Sequence, residues 1–267
     1  MTDILYVLKR DESGTYDDFR MSLRSISMNM LHVGNVYLVG AIPDWVNQNE
    51  VRCIPHDDAF RPKHKNILDC IMYAVEHSDI GKTNEHGMFM LSSDDHWYVR
   101  ETNAMWDGKF LFKGGLMSQK DFLRKEASHE KVNNYDRSIA STCALLESKG
   151  FPQMNFARHE NTWMSREVMR GREWKSLCYD AQHIPAYGCE PTALMCNFIL
   201  ARHPEWIYSG ILFMKDYKAG VECQVSDVTE EIESSGRNCI SGSDGACGGK
   251  LSKWLHSMFD EKCKYEK

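Results

Sequence analysis

Along the first hundred residues, short apolar runs alternate with stretches where apolar side chains recur every three or four positions. Ile4–Leu8 is almost wholly apolar and stops at Lys9-Arg10-Asp11, the pattern of a strand covered on both faces. Beyond Gly14, the residues Phe19, Leu23, Ile26 and Met30 mark one face of a helix, and Arg20 and Arg24 share another. Val36–Val39, closed by Gly40, and Val51–Ile54, closed by Pro55, read as the next strands. Ile67, Ile71, Ala74 and Val75 mark a second helix, and Met88–Leu91 a fourth strand that runs into Ser92-Ser93-Asp94-Asp95. Strands alternating with helices predict an α/β fold with a mostly parallel sheet flanked by helices. Such sheets bind ligands beyond the carboxyl ends of their strands. The polar clusters Lys9-Arg10-Asp11, His56-Asp57-Asp58 and Ser92 to His96 all fall at those ends.

The second half is less regular. Ser138–Lys149 is helical by pattern, as is Pro191–Arg202, with proline near its start and Pro204 after it. Ser241 to Gly249 reads as a polar, glycine-rich loop, and Leu251, Trp254, Leu255 and Met258 as a last amphipathic helix. No internal repeat or low-complexity linker appears, so one continuous domain with halves 1–110 and 111–267 is expected.

Composition narrows the class. The chain has 267 residues, 42% hydrophobic and 26% charged, with a net charge of −6, which excludes a disordered chain and gives no global attraction to nucleic acid. No apolar run is long enough to span a membrane, and the start lacks a basic, cleavable export segment. None of the ten cysteines forms a C-x-x-C pair, so they are expected to be reduced, mostly buried thiols of a cytoplasmic protein.

Adjacent carboxylates at a strand end, as in Asp94-Asp95, can hold a hard divalent cation and leave positions open for a diphosphate; Asp-Asp is also common in solvated turns. Arg20 and Arg24, one turn apart, can converge on a single anion. His56, Asp58, Lys65 and Asn66 cluster between the third strand and second helix, where they could read a base or sugar hydroxyls. His159 and His183 lie in irregular segments and could complete a metal shell or move protons. Arg158 to Lys175 interleaves arginines with Trp163 and Trp174, a pattern that could grip phosphates and stack bases, although buried tryptophans on a solvated helix produce it too. No P-loop, dinucleotide-binding glycine motif or G-x-S-x-G elbow is present.

Four ordered motifs carry a resemblance. Asp17 to Ile26 resembles the E-L-R-Y-S-L-R-S-I signature of Stealth-type sugar-phosphate transferases and related small glycosyltransferases of bacteria and phages. Asn35–Gly40 followed by Ile42-Pro43-Asp44-Trp45-Val46 resembles that family's strand and P-x-W-L turn. His56-Asp57-Asp58-Ala59-Phe60 is similar to its H-x-D-x-F, and Phe89 to Trp97 to its F-L-Y-x-N-D-D-x-F. The ending from Cys239 resembles the tail of the small members, whereas Lys109 to Tyr187 matches weakly. The first strand lacks the Stealth T-W-V-D-G, and Ser93 stands where asparagine is expected.

The resemblance implies a GT-A-like fold with a donor half, 1–110, and an acceptor half, 111–267. It implies a nucleotide-diphospho sugar donor, foremost a UDP-sugar, and a divalent cation, Mn2+ or Mg2+. Asp94 and Asp95 take the family's acidic motif, and His159 falls in a segment resembling N-Y-x-x-H and joins them as metal ligand. Lys9, Arg20, Arg24, His56, Asp58, Lys65, Asn66, Ser243 and Asp244 are the expected donor-binding residues; Asp180 and His183 are candidate bases beside the catalytic Asp94 and Asp95. The expected reaction is sugar transfer to an acceptor hydroxyl, on a glycan or on a hydroxymethylated pyrimidine of phage DNA. Sugar-1-phosphate transfer and donor binding without catalysis are the alternatives.

Overall fold

The computed structural model describes residues 1–10, 14–57, 62–105, 110–111, 123–125, 127–128, 132–154, 156, 162–184, 187–208, 216–219, 224–236, 238–242 and 250–267. In chain order the described elements begin β1 (Thr2–Leu8), α1 (Asp17–Asn29), β2 (Met30–Leu31), β3 (Val33–Gly40), β4 (Val51–Pro55), α2 (Lys63–His77), β5 (Met88–Ser92) and β6 (His96–Tyr98). There follow β7 (Thr102–Asn103), β8 (Phe110–Leu111), α3 (Asn134–Ser148), β9 (Thr162–Ser165), α4 (Arg166–Arg170) and α5 (Arg172–His183). The chain ends with α6 (Pro191–Arg202), β10 (Ile207–Tyr208), β11 (Asp216–Ala219), α7 (Val225–Ser235), β12 (Cys239–Gly242) and α8 (Lys250–Met258).

The central sheet has the order β4-β3-β1-β5-β9. Its first four strands run parallel, and β9 closes the edge antiparallel to β5. β1 sits in the middle, which explains its continuous apolar run: Ile4, Leu5, Tyr6 and Leu8 are all buried. Leu23 and Ile26 of α1, and Leu68, Ile71 and Val75 of α2, join the same core, each side chain contributing about 1.5–3 kcal/mol by leaving water. A second sheet, β11-β12-β6, takes up the chain after the turn that follows β5, with β6 antiparallel to β12. Met21 of α1 and Trp97 of β6 meet Val228, Ile240, Leu251 and Leu255 in a smaller core there.

Ser241 and Gly242, expected in a loop, are the end of β12 and buried. Both sheets draw strands from each side of residue 110. Six of the eight described cysteines are buried and none is in a disulfide. No helix among the described residues is long and apolar enough to cross a membrane.

Candidate active site

Strand register brings the carboxyl ends into one edge. Leu8 pairs with Gly40 and Gly40 with Pro55, while Tyr6 pairs with Ser92. The residues just past these ends are Lys9, the 41–47 loop, His56 and the Asp94–Asp95 turn. The chain leaves β3 through Gly40, whose φ of 102° suits only glycine. A Cβ there would also collide with the Leu8 carbonyl.

Asp94 and Asp95 lie in the tight turn between β5 and β6, both half-buried. The Ser93 carbonyl accepts from His96 N (3.3 Å), and the Asp95 carbonyl accepts from Gly242 N (2.9 Å), so β12 clamps the turn from outside. Ser93 Oγ donates to Asp94 Oδ1 at 3.3 Å, and His96 Nε2 stands 4.0 Å from Asp95 Oδ1. Burial raises the Asp94 carboxyl above the usual aspartate range, and the neighbouring charges of Asp95 and Asp18 raise it further. Crowded carboxylates that disfavour one another's ionisation are a setting in which a divalent cation is stabilised, and their oxygens suit Mg2+ or Mn2+. The pair therefore fits part of a metal shell. Among the described residues no three His, Cys, Asp or Glu side chains are arranged to hold a metal, and His159 lies outside them.

The two helix arginines do converge on one anion, but it is Glu266. Arg24 Nε and Nη2 donate to its two carboxylate oxygens at 2.7 and 2.9 Å, and Arg24 Nη1 donates to the carbonyls of Phe259 and Asp260. The last residues thus return beside α1, and Glu266 engages the Arg24 guanidinium that was expected to bind the donor. Arg20 is held more loosely. Its Nε is buried without a hydrogen bond and lies 3.6 Å from Glu266 Oε2, while its guanidinium stacks on Trp45 at 4.6 Å.

No protein-family model matches the chain, and no curated protein matches it in sequence. Solved structures do. Galactosyltransferase LgtC, in complex with donor and acceptor sugar analogues, matches at a TM-score of 0.50 and 8% identity, covering 97% of this chain and 95% of its own. The apo form of mouse xyloside xylosyltransferase 1 covers 91% and 97% at 12% identity, with a TM-score of 0.43. The chain has a GT-A fold.

Within this GT-A fold Lys9 and His56 share the carboxyl edge with the aspartates, whereas the other described candidates are bonded elsewhere. Lys9 is exposed at the end of β1. His56 turns onto α2: Nε2 meets Asp69 Oδ2 at 2.8 Å and the ring stacks on Tyr73 at 4.2 Å. Asn66 is buried in α2 with its Oδ1 facing Cys70 Sγ, and Lys65 is half-buried against Gly188. Asp180 pairs with Lys149 at 2.6 Å, and the His183 ring bonds the Tyr179 carbonyl and packs on the Tyr179 ring. No described contact brings Asp180 or His183 to the Asp94–Asp95 turn. Asp58, Ser243 and Asp244 lie outside the described residues.

The base-stacking reading of Arg158 to Lys175 is overturned in its described part. Trp163 and Trp174 are buried in the core, and Arg166 is buried with its guanidinium donating to the carbonyls of Ser78 and Ile80. Tyr6, Asp18 and Glu266 escaped the sequence reading. Asp18 stood inside the quoted helix motif, whereas nothing local marked Tyr6 or Glu266.

Proposed function

We propose that the chain is a metal-dependent glycosyltransferase, moving a sugar from a nucleotide-diphospho donor, foremost a UDP-sugar, to an acceptor hydroxyl on a saccharide. The observation that carries this is the half-buried Asp94–Asp95 pair at the carboxyl edge of a GT-A fold. Asp94 and Asp95, with His159, would hold Mn2+ or Mg2+. A divalent cation there supplies charge neutralisation for the departing nucleoside diphosphate. Arg20, on the first turns of α1 and stacked on Trp45, would exchange its loose contacts with Asp17 (3.7 Å) and Glu266 (3.6 Å) for the phosphates. Lys9 adds a second cation at the end of β1. Burial of Trp163 and Trp174 takes the base-stacking rings out of the stretch weighed for DNA, which favours the saccharide reading.

Incubation with a panel of nucleotide sugars and Mn2+, followed by mass spectrometry, tests the proposal. A glycoside product, or free sugar plus nucleoside diphosphate, is expected. A phosphodiester product with nucleoside monophosphate would assign the alternative sugar-1-phosphate transfer instead.

A further inference from the structure

Helix α1 is bonded to the segment that carries the two aspartates at four places. Ser22 Oγ donates to the Ser93 carbonyl at 3.4 Å, and Ser25 Oγ accepts from Tyr98 N at 3.0 Å. Asn29 Nδ2 donates to the Tyr98 carbonyl at 2.6 Å, and Trp97 Nε1 donates to the Asp18 carbonyl at 3.3 Å. Behind Ser22 stands the Tyr6 hydroxyl, 2.7 Å from Ser22 Oγ. Either hydroxyl can donate in this contact; when Ser22 gives its one proton to the Ser93 carbonyl, Tyr6 is the donor. The result is a two-step relay from Tyr6 through Ser22 to the carbonyl that also closes the Asp94–Asp95 turn by accepting from His96 N.

Its members are shut off from water, Tyr6 at 1% and Ser22 at 0% exposure. Hydrogen bonds in series are strengthened in such a setting. Around Tyr6, the centre of β1 is built of Ile4, Leu5 and Leu8. A phenylalanine would fill the same space against Phe19, whose ring meets Tyr6 edge-on at 5.0 Å, without a hydroxyl to satisfy. The polar atom instead meets Ser22 and, on the neighbouring strand, Ser92, the residue before the turn.

We infer that Tyr6 and Ser22 are positioning residues for the Asp94–Asp95 turn, fixing its backbone so that both carboxylates face one divalent cation. The inference rests on the reading of that pair as a cation site. Mn2+ binding to the full chain, without donor, is measured by the loss of the free-ion paramagnetic resonance signal, with melting temperatures recorded in parallel. Tyr6→Phe and Ser22→Ala are each expected to weaken Mn2+ binding about five- to tenfold, the equivalent of one hydrogen bond. The double variant is expected to bind no more weakly than Ser22→Ala alone, because Tyr6 acts through Ser22. Unchanged Mn2+ affinity in Tyr6→Phe, or fully additive losses, would overturn the inference even if the melting temperatures fall. Should Ser22→Ala fail to fold, Tyr6→Phe, which keeps the ring, decides by the first criterion. Absence of Mn2+ binding in the unaltered chain overturns the cation site itself, and the inference with it.

Discussion

Arg24→Met tests the assignment of this arginine to the C-terminal tail. Arg24 is 14% and Glu266 6% exposed, so the pair is largely withdrawn from solvent. Burial works against the Glu266 anion, yet the Arg24 hydrogen bonds and the Cys263 N–H hold its carboxyl below the usual glutamate range. Methionine keeps most of the stem but removes four hydrogen bonds and leaves a buried carboxylate. Breaking a buried pair costs 3–5 kcal/mol; with Arg20 still 3.6 Å away, about 3 kcal/mol is expected. The tail is fastened by Asn47 N to the Tyr265 carbonyl and by Lys267 N to the Trp45 carbonyl, both at 2.8 Å. Hydrogen exchange at those two amides should therefore quicken about a hundredfold. Adding Glu266→Leu should recover part of the protection, because an apolar pair replaces an orphaned charge. The depressed Glu266 carboxyl sets the pH sign: its contribution is present above the ordinary glutamate range and is lost as pH falls through the lower folded value. Exchange altered less than about threefold by Arg24→Met would refute the clasp, since even a typical hydrogen bond is worth more.

Gly40→Ala should cost about 2–3 kcal/mol, from the positive φ and the contact with the Leu8 carbonyl, and lower the melting temperature by about 5–10 °C. Mn2+ affinity measured against pH should fall on acidification through a value above the ordinary aspartate range, because protons compete for the raised Asp94 carboxyl. Asp18→Asn removes one of the repelling charges and should move that fall to lower pH; a shift upward would contradict the account. Trp174→Ala should destabilise the fold by about 3–5 kcal/mol as a core truncation, read by chemical denaturation, and an unfolding free energy within about 0.5 kcal/mol of the parent would contradict its burial.

The four parallel strands were legible because each is a compact apolar run ended by glycine, proline or a polar cluster. The helix Pro191–Arg202 was legible at both ends, since proline opens it and Pro204 follows it. β9 was not: its four residues sit in a charge-rich segment, and pairing with β5 is what makes them a strand. The three-residue β6 is likewise defined by β12, a partner from the far end of the chain. At the site, the Asp94–Asp95 turn could be placed because strand polarity alone puts it at the carboxyl edge. The partner of Arg24 could not, because Glu266 lies 242 residues away and no local pattern links them. The helix motif that suggested phosphate-binding arginines holds the Asp94–Asp95 turn through Ser22 and the tail through Arg24.

Calorimetric titration of UDP, GDP, ADP and CDP into the chain, with Mn2+ and with chelator, tests the central claim most directly. The account predicts that one nucleoside diphosphate binds only with Mn2+ and that Asp95→Asn abolishes this binding while the protein stays folded. Binding that survives both chelation and Asp95→Asn, or no binding by any of the four, would contradict it.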